Sequence, residues 1–244
     1  MCKSYIFVTK RHLAMLRLLA MLLVLATSIP ASAQVVNSHE WAQIQVFAAA
    51  NDSLRHLPQE CRRVVFIGNS ITELWSLHRP QFFQRYGFVG RGISGQTSSQ
   101  MLLRFRQDVV SLHPEAVVIG AGTNDVAENT GPYDEGQTMD NIRSMADLAR
   151  ANDIKVVLTS VLPAAGFRWR KTIKDAPEKI ASLNACIRRY AEAHHMPYID
   201  YYSVMLAPDG RSLNPAYTYD GVHPTIDGFA VMEQQIEECG ALCR

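Results

Sequence analysis

Five short apolar or β-branched runs, at residues 64–67, 88–90, 116–120, 155–160 and 197–200, recur along the chain, and the intervals between them carry helical periodicity. That alternation constrains the fold more than any other feature of the sequence. Val64-Val65-Phe66-Ile67 and Ala116-Val117-Val118-Ile119 are apolar at every position, so both faces of each strand must be covered. Successive parallel strands need a long crossover, and a helix is the usual one. Suitable helices read at 38–57 (Trp41, Ile44, Val46, Phe47, Leu54 in register), 80–86, 97–112 (Met101, Leu102, Phe105, Val109), 137–152 (Ile142, Met145, Leu148, Ala149), 176–195 and 226–238. With no repeat, low-complexity tract or linker to divide it, the pattern predicts one three-layer α/β/α domain on a parallel sheet.

The N-terminal stretch stands apart. Lys3, Lys10, Arg11 and Arg17 precede an apolar run at 18–26, followed by Ile29-Pro30 and the small residues Ala31-Ser32-Ala33. This is the pattern of a secretory signal peptide over 1–33, cleaved after Ala33, which leaves a single domain over 34–244 in a secreted or periplasmic protein. The long basic portion is consistent with a start at Met15. An uncleaved anchor is the alternative, although the run is short of the roughly 20 residues a bilayer span needs; nothing in the mature chain reads as a membrane span. Removing four positive and no negative charges takes the formal net charge from +1 to −3, which argues against nucleic acid as a partner. Cys61, Cys186, Cys239 and Cys243 then lie in an exported chain where disulfides are permitted, and Cys239–Cys243 is one of the pairings open to them. The adjacent His194 and His195 read as a helix end, and no spacing suggests a metal site.

The chemistry-bearing residues collect at strand ends. Gly68-Asn69-Ser70 breaks the first strand before a helix, which puts Ser70 at the carboxyl edge of the sheet beside free backbone N–H groups. On its own such a serine is as often an N-cap. Asn124 lies just beyond the third strand, and Asp220 and His223 stand three apart on the loop before the last helix. A serine hydroxyl needs an imidazole to take its proton, and the imidazole needs an acid to orient it. Without the serine, the Asp220–His223 pair would read as a capping turn.

Gly68-Asn69-Ser70-Ile71-Thr72, Gly92-Ile93-Ser94-Gly95, Gly122-Thr123-Asn124-Asp125 and Asp220-Gly221-Val222-His223 occur in the order and with the strand-end placement of the SGNH or GDSL hydrolases, and the chain resembles that family over about residues 62–238. The resemblance implies a flavodoxin-like five-stranded parallel sheet, with Ser70 as nucleophile and Asp220 and His223 as acid and base. It implies an oxyanion hole from the Ser70 and Gly95 N–H groups and the Asn124 amide, and chemistry that requires no metal or organic cofactor. Asn69 replaces the family aspartate beside the serine, which puts the support of that turn in question rather than the reaction. Asp125 reads as a supporting residue. The family's open, shallow site, together with Trp75, Trp169 and Tyr217 as candidate substrate-binding rings, Tyr217 in the aromatic stretch Tyr217-Thr218-Tyr219, points to an exported esterase acting on a small-molecule or glycan ester, with acetyl groups on carbohydrate as the expected substrate; core packing is the other reading of Trp75. A lysophospholipase or thioesterase of the same family and a non-catalytic glycan-binding protein on the same fold are the alternatives, and the sequence sets no oligomeric state.

Overall fold

The structure, a computed structural model, describes residues 38–242. The expected signal peptide and Cys243 lie outside the described residues. Strands β1 (Val64–Gly68), β2 (Phe88–Gly92), β3 (Ala116–Ile119), β4 (Lys155–Thr159) and β5 (Tyr198–Ile199) form one sheet in the order β2-β1-β3-β4-β5. Every pairing is parallel, with Val64 opposite both Phe88 and Ala116, and Val117 opposite Val156. This is the flavodoxin-like order, in which the chain reverses direction across the sheet between β1 and β3 and opens a crevice at their carboxyl ends.

Residue alternation sorts the strands into two cores. Val65, Ile67, Val117, Ile119, Val156 and Leu158 face one side. There they meet α5 (Ser98–Asp108), α7 (Glu135–Arg150) and α8 (Ala176–Ala193). Val64, Phe66, Ala116, Val118 and Val157 face the other. That side is covered by α3 (Ser70–His78), α4 (Pro80–Tyr86), α9 (Tyr201–Met205) and α10 (Ile226–Cys239). A strand buried on both faces has no polar position to spare, which is why its sequence reads as an unbroken apolar run.

The helices depart from the sequence reading where a buried side chain demands it. The stretch at 38–57 is not one helix: α1 (Ser38–Ala42) and α2 (Ala48–Arg55) flank a turn in which Gln43 is left-handed at φ +54°. The break lets Phe47 lie against the Arg91 guanidinium, 4.7 Å from its ring centre. The helix expected to reach residue 112 stops at Asp108 and rewinds as a 3₁₀ turn over Val110–Leu112. Val109, Val110 and Leu112 are all buried, whereas on a continuous helix Val110 would fall on the side that carries the exposed Arg106 and Gln107. Strand β2 runs two residues beyond the expected end, to Gly92, where α3 presses on the sheet. A Cβ at Gly92 would stand 2.2 Å from the Glu73 nitrogen, so only glycine fits.

Candidate active site

The loop joining β1 to α3 is a single residue, Asn69. Its side chain accepts from the Ile71 N–H at 3.0 Å and caps α3. An aspartate could accept the same bond, so Asn69 leaves the turn supported. Ser70 therefore opens α3 at the crevice. The Ser70 Oγ lies 2.9 Å from His223 Nε2, and His223 Nδ1 lies 2.7 Å from Asp220 Oδ2. Asp220 Oδ1 also accepts the backbone N–H groups of Val222 and His223, at 2.9 and 2.8 Å. Burial would raise the Asp220 carboxyl, but the bonds from His223 and Val222 outweigh it and hold the group below the usual carboxylate range. An ionised carboxylate only accepts, so the imidazole proton sits on Nδ1 and Nε2 is left free to take a proton from Ser70. The loop itself is closed by Thr218, whose hydroxyl donates to the His223 carbonyl at 2.7 Å and receives the Gly221 N–H at 3.0 Å.

Two further segments frame the serine. After β2 the chain turns through Gly95 at φ +78°, a conformation suited to glycine. The preceding Ser94 is pinned by Glu73 of α3, whose Oε2 accepts the Ser94 N–H at 2.7 Å. After β3 the short α6 (Thr123–Val126) buries Asn124, and its Nδ2 donates to the Gln96 carbonyl at 3.0 Å, next to Gly95. An amide nitrogen carries two protons, so one remains for a ligand. Asp125 accepts the Ser98 N–H at the start of α5, at 3.1 Å from each oxygen. Burial pushes its carboxyl up, and the Ser98 donors offset this only in part. Asp125 thus anchors the start of α5.

The candidate substrate-binding rings separate. Trp169 is 45% exposed with its ring 6.3 Å from that of His223. Trp75 is not at the site: it is 2% exposed, stacked between Phe82 and Phe229, with its Nε1 donating to Glu233 at 3.1 Å. A helical residue five positions on from Ser70 points into the core, not over the strand ends. Tyr217 is also displaced. It packs half-buried on the core under α10, where Gly228 leaves room for it, and its carbonyl receives the Thr225 N–H at 2.8 Å. The ring beside the histidine is Tyr219, 61% exposed and stacked on His223 at 6.0 Å and 14°. It belongs to the aromatic stretch Tyr217-Thr218-Tyr219, on the loop that Thr218 closes. Behind the nucleophile turn lies a cavity of about 40 Å³ lined by Asn69, Ile71, Thr123, Leu162 and Tyr201; Ser70 and His223 are not in its wall.

Among the described residues, no group of three or more His, Cys, Asp or Glu side chains is placed to hold a metal ion, and no helix is long and apolar enough to cross a membrane. Cys61, Cys186 and Cys239 are free thiols.

A serine presented at the switch point of a 2-1-3-4-5 parallel sheet, against a histidine on the loop before the last helix, defines the α/β/α class of ester hydrolases. Residues 66–231 match the model of the GDSL-like lipase/acylhydrolase family, and the chain belongs to that family and is a carboxylic ester hydrolase. A GDSL-like lipase from Bacteroides thetaiotaomicron VPI-5482 is 56% identical, with a TM-score of 0.79 over 81% of this chain and 97% of that one. At 19% identity, an acetylxylan esterase from Geobacillus stearothermophilus shares the fold, with a TM-score of 0.56 over 74% of this chain and 95% of that one. Among curated proteins, an N-acylneuraminate cytidylyltransferase of Escherichia coli O18:K1:H7 (strain RS218 / NMEC) is 23% identical over 179 residues, which is 72% of this chain and 39% of that protein. The chain thus spans well under half of that relative.

Proposed function

We propose that the protein is an exported serine esterase that removes short acyl groups, acetyl foremost, from carbohydrate hydroxyls. The observation that carries the reading is the unbroken series Ser70 Oγ, His223 Nε2, His223 Nδ1 and Asp220 Oδ2, at 2.9 and 2.7 Å. His223 takes the hydroxyl proton as Ser70 Oγ attacks the ester carbonyl, then returns it to the departing alcohol. Asp220 holds the ring in the required tautomer and stabilises the imidazolium between the two steps. The Ser70 and Gly95 N–H groups and the free Asn124 proton receive the negative oxygen of the tetrahedral intermediate. Water then repeats the cycle on the acyl-serine, releasing the acid.

Carbohydrate as the alcohol is supported by the two exposed rings, Trp169 and Tyr219, that lie within 6.3 and 6.0 Å of the His223 ring. The fold-level likeness to an acetylxylan esterase supports it as well, and export follows from the leader pattern at 1–33. The test is hydrolysis of p-nitrophenyl acetate beside Ser70→Ala, followed by an acyl-length series and acetylated xylo-oligosaccharides. The reading expects a fall of roughly 10³ or more for Ser70→Ala and a preference for acetyl. Equal rates for the two proteins would overturn the Ser70 assignment, and a preference for chains of about ten carbons would overturn the substrate in favour of a lysophospholipase or thioesterase. Export is tested separately by N-terminal sequencing of the mature protein, with Gln34 expected first.

A further inference from the structure

One residue, through its side chain and its backbone N–H, ties the exposed ring of Trp169 to both oxyanion segments. Asn129 follows α6 by three residues. Its backbone N–H donates to the Asn124 carbonyl at 3.0 Å, and its Nδ2 donates to the Gly95 carbonyl at 3.0 Å. Its Oδ1 accepts the indole N–H of Trp169 at 2.9 Å. The orientation of the amide is unambiguous, because an indole N–H only donates and a backbone carbonyl only accepts, so each end of the amide has one possible assignment. The residue before it, Glu128, is left-handed at φ +56°, a conformation disfavoured for a side chain with a Cβ. That bend is held from the Trp169 side, where Arg170 Nη2 donates to the Glu128 carbonyl at 3.0 Å, and Lys179 pairs with the Glu128 carboxylate at 3.5 Å.

Gly95 has no side chain to fix its peptide and sits at φ +78°. Its N–H is useful only if it stays aimed at the developing oxygen, since a preorganised donor contributes without reorganising during the reaction. Glu73 clamps the chain on one side, through Ser94. Asn129 clamps it on the other. We propose that Asn129 is a positioning residue for the oxyanion hole, and that through it the Trp169 loop and the Gly95 donor act as one mechanical unit. The inference rests on the reading of Ser70 as nucleophile and of Gly95 as oxyanion donor. It also gives Trp169 two separable roles: its ring face meets the alcohol, and its N–H orients Asn129.

The test is the steady-state hydrolysis of p-nitrophenyl acetate by Asn129→Ala, Trp169→Phe and the double variant. Trp169→Phe keeps an aromatic ring at an exposed position while removing the N–H donor along with the indole's second ring, so it folds whether or not Asn129→Ala does. A misaimed donor weakens the transition state more than the ground state. The expected result is a fall in kcat of about 10- to 100-fold for Asn129→Ala, part of the loss for deleting a donor outright, with KM within about 3-fold. Trp169→Phe should show a smaller fall in kcat of about 3- to 10-fold, again with KM little changed. The double variant should be no worse than Asn129→Ala within about 2-fold, because residues acting through one connection are not additive. An unchanged kcat in Trp169→Phe, or a double variant equal to the product of the singles, overturns the inference, as does an effect of Asn129→Ala on melting temperature alone. Loss of activity in Ser70→Ala beside a normal Asn129→Ala would sink the positioning role and leave the esterase reading standing.

Discussion

Arg104 is the residue whose removal tests most directly how this site is supported. It lies on α5 with its side chain fully buried, donating to Asp108 Oδ2 at 2.9 Å, Gln96 Oε1 at 2.6 Å and the Gly68 carbonyl at 2.9 Å. Gly68 is two residues before Ser70, and Gln96 follows Gly95, so one guanidinium grips both sides of the crevice from below. Arg104→Met fills most of the same space and supplies no donor. It leaves the Gln96 amide oxygen unpaired, at about 1–3 kcal/mol, removes one of two donors from the Gly68 carbonyl, which keeps the Ile93 N–H at 3.2 Å, and takes a charge-assisted bond from a buried carboxylate. The relief of burying one cation fewer offsets part of this. Asp108 also keeps the Asn51 amide at 2.7 Å and the nearby Arg91 charge. The balance falls at the low end of the roughly 3–5 kcal/mol for breaking a buried pair, or about 3 kcal/mol, a large share of a stability of roughly 5–15 kcal/mol. With a urea m-value of about 2 kcal/mol/M, the midpoint should drop by about 1.5 M at unchanged m. Paired urea titrations of wild type and variant at neutral pH measure it, and kcat of the folded variant should fall as well. A shift under about 0.5 M would refute the reasoning, since the three bonds would then contribute little beyond what water replaces.

Asp220→Asn should lower kcat by about 10³ to 10⁴ with the fold intact, because an amide that donates toward the ring favours the tautomer with its proton on Nε2; pH–rate profiles of the two proteins check this. The same carboxyl lies below the ordinary range in the fold, so the stability it contributes is present above the unfolded carboxylate pKa and fades as pH drops through the folded value; Asp220→Asn should flatten that acid limb slightly in urea midpoints. At the alkaline end the sign reverses. Burial, helped by Asp200, pushes Tyr198 up to about 12, and burial also raises Tyr133 and Tyr201. The unfolded chain releases these protons first, so stability is full below about pH 10 and is lost from there to about pH 12. Tyr198→Phe should remove a share of that loss in midpoints taken at pH 9, 10 and 11, and a stability that rises over this range would contradict it. Tyr219→Ala removes an exposed ring beside His223 and should raise KM for acetylated xylo-oligosaccharides by about 3- to 10-fold, the equivalent of roughly 0.5–1.5 kcal/mol of ring packing, with p-nitrophenyl acetate kcat little changed.

The strands were legible because burial on both faces forces an apolar residue at every position, and few other environments do so. The strand-end placement of Ser70 and Asn124 followed from that, and the structure joins Ser70 by hydrogen bonds to His223 and Asp220 on the loop before α10. Residues that support the site were not legible. Arg104 lies at the edge of the apolar face of α5, where its charge alone assigns it to solvent; Asp108 one turn on is a visible partner, but Gln96 in the preceding turn and the Gly68 carbonyl 36 residues away, which complete its bonds, are not. Asn129 lies in a loop, where local sequence carries no record of what a side chain meets 40 residues away at Trp169. Trp75 and Tyr217 misled for the converse reason. Closeness to Ser70 or Asp220 along the chain says little about direction in space: α3 turns Trp75 into the aromatic core, and α10 packs down on Tyr217 through Gly228.

The supporting residues share one pattern, and it bears on catalysis. Around the crevice the carbonyl oxygens of Gly68, Gly95, Gln96 and Asn124 are each met by a donor: Arg104, the Asn129 amide, the Asn124 amide and the Asn129 N–H, in that order. A carbonyl oxygen carries partial negative charge, and under the proposed mechanism one left free beside the reacting ester would repel the oxyanion assigned to the Ser70 and Gly95 N–H groups. Engaging these four holds the opposing dipoles back while the loops are fixed, so the same bonds that stabilise the turns also shape the field at the nucleophile. Replacing Asn129 therefore has two costs, a looser loop and a Gly95 carbonyl free to point inward, while replacing Arg104 leaves the Gly68 carbonyl held by the Ile93 N–H alone. That is why substitutions at Arg104 and Asn129, neither of which meets the ester, are expected to show in kcat.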